Sequence, residues 1–319
     1  MIFMSSFRWS YQKNRISYCI NALARRIVKS NIIEEKYCKP VLSAEEGNNR
    51  IAELIESKKP FMVARFGGNE IRALADVIYE REGGKLGGLS RRSRFKLVNQ
   101  AGFFPDDKEL IYKFADEYIE AAKQVDMLGV WNMFMQGMIT ERYLLDADYC
   151  ELKSIEPYYF DNPWSKALNE KRVLVIHPFA ETIEKQFKNR ERLFENREIL
   201  PEFKLQTIKA VQTIAGTKDT RFKDWFEALE YMYGEAMKKD FDIALIGCGA
   251  YGFPLAAKIK KAGKQAIHMG GSLQILFGIK GKRWDNHEII GRMYNEAWVR
   301  PGKNDIPQKK EIVEGGCYW

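Results

Sequence analysis

Three places in the chain join a short apolar run to a glycine turn and a helix-forming stretch, an arrangement that brings backbone amides up to an anion. In the first, Asp242-Ile-Ala-Leu-Ile246 runs into Gly247-Cys-Gly249-Ala-Tyr251-Gly252. The glycines of this G-x-G-x-x-G turn let the backbone reverse sharply and approach a ligand. The helix that follows aims free N–H groups and its positive dipole end at the same point. A phosphate-bearing nucleotide suits such a turn; the alternative is a turn kept tight only for packing. In the second, Phe61-Met-Val-Ala-Arg65 leads into Phe66-Gly67-Gly68-Asn69-Glu70. Arg65, at the strand end, can hold a diphosphate through its planar fork. Glu70 falls in the first helical turn, where a carboxylate is stabilised electrostatically and can face a ligand. The plainer alternative is a capping Glu and a surface Arg. In the third, Gly270-Gly271-Ser272-Leu273-Gln274 offers amides, a hydroxyl and a carboxamide to sugar or phosphate, or simply starts a packed helix.

Missing residues narrow the ligand. A nicotinamide-binding unit places an acid about 20 residues beyond its turn, at the end of the next strand, to hold the ribose. Here that strand ends Ile267-His268-Met269-Gly270-Gly271, with no carboxylate. The Gly-Cys-Gly string is also similar to the first motif of adenosylmethionine-dependent methyltransferases, yet the acids that accompany that motif are absent. An adenosylmethionine- or NAD-dependent enzyme is therefore the alternative reading. Only three histidines occur. His177 ends the run Val173–Ile176, at the carboxyl edge where open α/β sheets bind ligands, and His268 holds the equivalent place on a later strand. Thr182 follows near the next helix start, where a hydroxyl caps the helix or meets phosphate. His287 lies in a polar stretch and reads as surface.

These turns need a sheet to align them. Helices are expected over 9–29, 44–58, 107–123, 180–194, 221–239 and 253–262, and from about residue 70. Strands are expected over 61–64, 125–130, 172–176, 204–211, 241–246 and 265–269. Apolar strands of this length alternating with longer helices predict a mostly parallel, Rossmann-like sheet with helices on both faces. Residues 1–40 read as a basic helical extension and 41–319 as a single catalytic domain. Over 9–29, Ile16, Ile20, Leu23 and Ile27 form one apolar stripe with Lys13, Arg25, Arg26 and Lys29 off it. Such a helix either rests on an anionic membrane surface or docks on the protein's own body or a second subunit. The run Lys85 to Lys96, rich in Arg and Gly, reads as a mobile loop that either closes over a diphosphate or is simply solvated. The net charge of +8 favours anionic partners. No nucleic-acid-binding signature accompanies it. Five scattered cysteines without a C-x-x-C pair suggest reduced thiols, a cytoplasmic protein and no zinc site. No run is long and apolar enough to span a membrane, so any membrane contact would be at the inner face.

The string Arg65-Phe66-Gly67-Gly68-Asn69-Glu70 resembles the R-(F/Y)-G-D-G-E signature of the bacterial GT-D glycosyltransferases. Gly247 to Gly252, followed by Lys264-Gln-Ala-Ile-His268-Met-Gly270-Gly271, is similar to the second nucleotide-side turn of that family. The run Gly270 to Trp284 looks like that of uncharacterised polysaccharide-cluster proteins. The likeness is clear over 61–76 and 241–285. It implies a Rossmann-like fold, a nucleotide-sugar donor and a glycan or lipid-linked acceptor in surface polysaccharide synthesis. The family's D-x-E pair usually engages the donor with a divalent cation, Mn or Mg. In this chain Gly68 stands where the family has Asp, which leaves Glu70 alone. Either the cation is dispensable, or an acid from elsewhere, such as Asp161 or Glu181, replaces it, or the protein is a non-catalytic nucleotide-binding subunit.

Overall fold

The computed structural model describes residues 6–27, 33–215, 217, 219–307 and 309–319. Lys29, at the end of the helix expected over 9–29, lies outside them. In chain order the elements are α1 (Ser6–Ile27), β1 (Val41–Leu42), α2 (Ala44–Glu56), β2 (Phe61–Arg65), α3 (Gly68–Arg81), α4 (Arg91–Ala101), α5 (Lys108–Ala122), β3 (Met127–Val130), α6 (Gln136–Tyr143), β4 (Asp148–Glu151), β5 (Arg172–His177), α7 (Ala180–Phe187), β6 (Lys204–Lys209), α8 (Trp225–Met237), β7 (Ile243–Ile246), α9 (Gly252–Lys261), β8 (Gln265–His268) and α10 (Leu273–Leu276). The strands form one eight-stranded sheet in the order β1-β4-β3-β2-β8-β7-β5-β6, and every pairing is parallel.

The central strands are apolar on both sides because both sides are covered. Met62, Ala64, Leu174, Ile176, Ala244 and Ile246 face a core built with α3, α5, α8 and α9. Their neighbours Val63, Val173, Val175, Ile243 and Leu245 face the opposite core, with α2, α7 and α10. This is the expected α/β sheet with helices on both faces and an N-terminal helix beside it. β6, at one edge, carries Lys204 and Lys209 and is partly exposed, which discourages pairing with another chain.

Register and strand order decide where a ligand could sit. Ile176 pairs with Ile246, and Ile246 with His268, so β5, β7 and β8 end level with one another. From β5 the chain goes through α7 to β6 on one face; from β7 it goes through α9 to β8 on the other. Their loops diverge and open a crevice at the carboxyl ends. β2 and β8 diverge the same way, since α3 covers one face and α10 the other.

Two expectations change. The basic run from Lys85 to Lys96 is not one loop, because α4 begins at Arg91. Ser90 caps it by accepting from the Ser93 N–H at 3.1 Å, Leu97 and Ala101 are buried, and Gly102 ends it in the left-handed region at φ 89°. The helix expected over 180–194 stops at Phe187, and a 3-10 turn follows at Arg190–Arg192. β1, β4 and α6 were not expected; each is short and mixed in polarity, with little periodicity to mark it.

Candidate active site

The crevices merge into one cavity of about 390 Å3 at the carboxyl ends of β2, β8, β7 and β5. Arg65 is the last residue of β2, so the strand aims its side chain past the sheet edge. Its guanidinium lies 4.8 Å over the ring of Trp131, the residue after β3. Glu70, in the first turn of α3, is buried and folds back on the helix start. A Cβ at Gly67 would lie 2.2 Å from its Oε2, so any larger residue there would push the carboxylate aside. Burial raises the Glu70 carboxyl above its ordinary value, opposed by its own N–H, Arg65 and the N–H of Asn69. Gly68, by contrast, has open space where a Cβ would be.

A second carboxyl lines the cavity and also feels Arg65. Glu156 follows β4, between two 3-10 turns. Burial raises it as well, opposed first by the charge of Arg65. Arg65 thus acts electrostatically on two acids, one from the start of α3 and one from the segment after β4.

The two strand-end histidines are held as opposite tautomers. The Phe179 N–H donates to His177 Nδ1 at 3.0 Å, which leaves the ring proton on Nε2. His268 Nδ1 donates to the Arg65 carbonyl at 3.0 Å, so its Nε2 is a bare acceptor. Burial pulls both rings down to about 3, with Arg65 adding to the effect on His268, so both are neutral near neutrality.

The G-x-G-x-x-G glycines serve close packing. At Gly247 a Cβ would lie 2.5 Å from the Gly270 carbonyl and 2.8 Å from His177. Gly249 has φ 57° and would meet the Ala101 carbonyl at 2.7 Å. Gly252 would meet His268 at 2.5 Å. The amides of Cys248, Gly249 and Ala250 make no hydrogen bond among the described residues, the kind of donor cluster that takes an anion. Tyr251 stacks on Trp225 and shares a 2.8 Å hydrogen bond with Thr213, which fixes the turn.

Of the residues singled out in the sequence, Arg65, Gly67, Gly68, Asn69 and Glu70 line the cavity from β2. His177, Gly247, Gly249 and Tyr251 line it from β5 and β7, and His268, Gly270, Gly271 and Ser272 from β8. Gly252 does not line it, because its Cα faces His268. Thr182 is turned away and donates to Asp305 at 2.6 Å. Neither Asp161 nor Glu181 replaces the absent family Asp: Asp161 is exposed outside the cavity, and Glu181 accepts from Lys209 at 2.9 Å. His287 is exposed and stands at the cavity's rim.

Sequence reading missed Trp131, Glu156 and the covering segment near the end of the chain. Trp131 could have been found by the rule that pointed to His177, that residues just after parallel strands face the ligand edge. Arg283 binds Glu314 and donates to the Tyr318 hydroxyl at 3.3 Å, and Tyr318 lies against Gly271. Together they roof the cavity beside Trp284.

Among the described residues no group of three or more His, Cys, Asp or Glu side chains is gathered as for a metal ion. Glu70 lies on its own helix amides and Gly68 supplies no oxygen. The carboxylate pair of the family's signature is therefore not reproduced at this turn, where Glu70 is the one acid.

Residues 42–276 match the model of a family described as a GT-D fold-like domain. Among curated proteins no match is found. One solved structure is similar at 14% identity and a TM-score of 0.44, covering 85% of this chain and 92% of its own. It is described by the words "The highly conserved domain of unknown function 1792 has a distinct glycosyltransferase fold". The span matched by the family model takes in the sheet from the end of β1 through α10, and with it the turns that build the cavity. The chain belongs to the GT-D-like family.

Proposed function

We propose that this protein is a glycosyltransferase that moves a sugar from a nucleotide-diphosphate donor to a hydroxyl of a glycan or lipid-linked acceptor. The observation that carries the reading is Arg65, held over Trp131 and within electrostatic reach of two carboxyls at the mouth of a parallel sheet. The diphosphate binds to Arg65 and the amides after β7 and β8, with Arg283 close by. These donors stand ready before reaction, so they stabilise the charge that builds on the diphosphate as it leaves. The acceptor oxygen forms its bond to the anomeric carbon as the bond to the diphosphate breaks. Glu156, partly open to the cavity, takes the hydroxyl proton. Glu70 receives sugar hydroxyls and holds Arg65. His177 donates from Nε2 to the sugar or phosphate. The aromatic walls, Trp131, Tyr159 and Trp284, suit sugar rings and a base.

Calorimetric titration with UDP, GDP, CMP-sugars, adenosylmethionine and NAD tests the donor side. Binding of a nucleoside diphosphate that is markedly weakened in Arg65→Ala is the expected result. Binding of adenosylmethionine alone would sink the proposal. The absence of the family Asp at Gly68 favours one further reading, a nucleotide-binding subunit without turnover. Donor binding without release of nucleoside diphosphate in the presence of glycan acceptors would establish it.

A further inference from the structure

We infer that the outer face of α1, together with the tip of the loop after α3, docks on an anionic lipid bilayer. α1 packs on the body through Phe7, Tyr11 and Ala24, all buried, and the Tyr11 hydroxyl donates to Asp76 at 2.5 Å. Trp9, Ile16, Ile20 and Leu23 recur at helical spacing on the side away from Tyr11. There they are 66%, 63%, 39% and 62% exposed. The helix contains Arg8, Lys13, Arg15, Arg25 and Arg26 and no Asp or Glu. Arg8 and Lys13 are exposed beside the apolar row, with the Lys13 ammonium 5.1 Å from the Trp9 ring. An apolar row bordered by cations, with a Trp at one end, is the pattern that settles between headgroups and acyl chains.

Tertiary contacts enlarge this surface in a way the sequence does not show. Gln12 Nε2 and Arg15 Nη1 donate to the Leu86 carbonyl at 2.6 and 2.8 Å, and the Gly88 N–H donates to the Tyr11 hydroxyl at 3.1 Å. These bonds fasten the loop to the flank of α1. Leu86, 77% exposed, and the exposed Lys85 thereby join the patch, and the exposed Arg91 and Arg92 follow in α4. Lys85, far along the chain, is thereby brought near the cations of α1. That charge selects the occupant. A second copy laid on the same face would set like charges together, whereas anionic headgroups neutralise them, and each cation near the surface adds to the attraction.

The test is independent of the catalytic reading. The full chain is sedimented with vesicles of phosphatidylcholine alone or mixed with phosphatidylglycerol, at low and high salt. Binding to the anionic vesicles only, weakened by salt, is expected. The double variant Ile16→Glu/Leu23→Glu is expected to lower partitioning about tenfold or more with unchanged circular dichroism. Lys85→Glu/Leu86→Ser, whose changes lie in a loop, lowers it by a smaller factor even if the helix variant fails to fold. Equal binding to neutral vesicles, or none to anionic ones, would overturn the proposal. So would a dimer in ultracentrifugation that becomes a monomer in either variant, since the occupant would then be a second copy.

Discussion

The turn after β2 and the turn after β7 have the same outline, strand to glycines to helix, yet they use glycine for different ends. After β7 each motif glycine lies against protein: Gly247 against the Gly270 carbonyl, Gly249 against that of Ala101, and Gly252 against His268. After β2 only Gly67 is so confined, by the Glu70 carboxylate, and Gly68 faces open space. The β7 turn supplies shape and free amides, while the β2 turn supplies charge. A glycine motif therefore marks where the backbone must pass closely. The chemistry can lie on the less conspicuous turn beside it.

Substitutions can break this contrast. The largest loss of stability is expected for Gly252→Ala, because its methyl would enter the ring of buried His268; overpacking of this kind costs about 2–3 kcal/mol. A lowered urea midpoint with an unchanged slope checks it. Arg65→Ala is expected to weaken nucleoside diphosphate binding about 30-fold, roughly 2 kcal/mol for a charged hydrogen-bond donor. Calorimetry reads that change, and Arg65→Lys should not restore it, because an ammonium lacks the fork.

The third contrast depends on pH. Burial raises the Glu70 carboxyl, so the folded state holds that proton more tightly than the unfolded one. The stability it contributes is present below its ordinary value of 4.5 and is lost as pH rises through the raised value. Glu70→Gln removes this loss. Thermal melting of both proteins across that interval should show the variant gaining on the wild type as pH rises, then a constant difference. A pH-independent difference would mean that the carboxyl is not strained by burial. The smallest effect is expected at Gly68→Ala, where the open space and helical backbone predict a gain of about 0.5–1 kcal/mol. If nucleotide binding falls while stability rises, the ligand approaches the Gly68 backbone directly.

Much of this arrangement was legible locally. Arg65, Glu70, His177 and His268 stand out because each ends a strand or starts a helix, positions that a short continuous apolar run and a glycine mark within a few residues. Glu156 was not legible. It lies between two 3-10 turns, and nothing nearby in the chain says that it will stand beside Arg65. Asp161 and Glu181 were equally plausible from their local positions, but Glu181 turns to Lys209 on β6 and Asp161 lies outside the cavity. The first half of α4 reads as loop because polar residues outnumber the apolar ones there; Leu97 and Ala101 enter the core and Val98 packs against it.

The β7 glycine turn shows where the division falls. By itself the sequence determined a strand, a reversal and a helix at Asp242–Lys261, and a parallel sheet around them, because apolar periodicity and glycine stereochemistry act over a few residues. Strand order decided the rest. Placing β8 between β2 and β7 put His268 against Gly252, and it brought Arg65 and Glu70 to the same opening as the β7 amides. Contacts of that kind join residues separated by most of the chain, and only the packed sheet brings them within reach of one another.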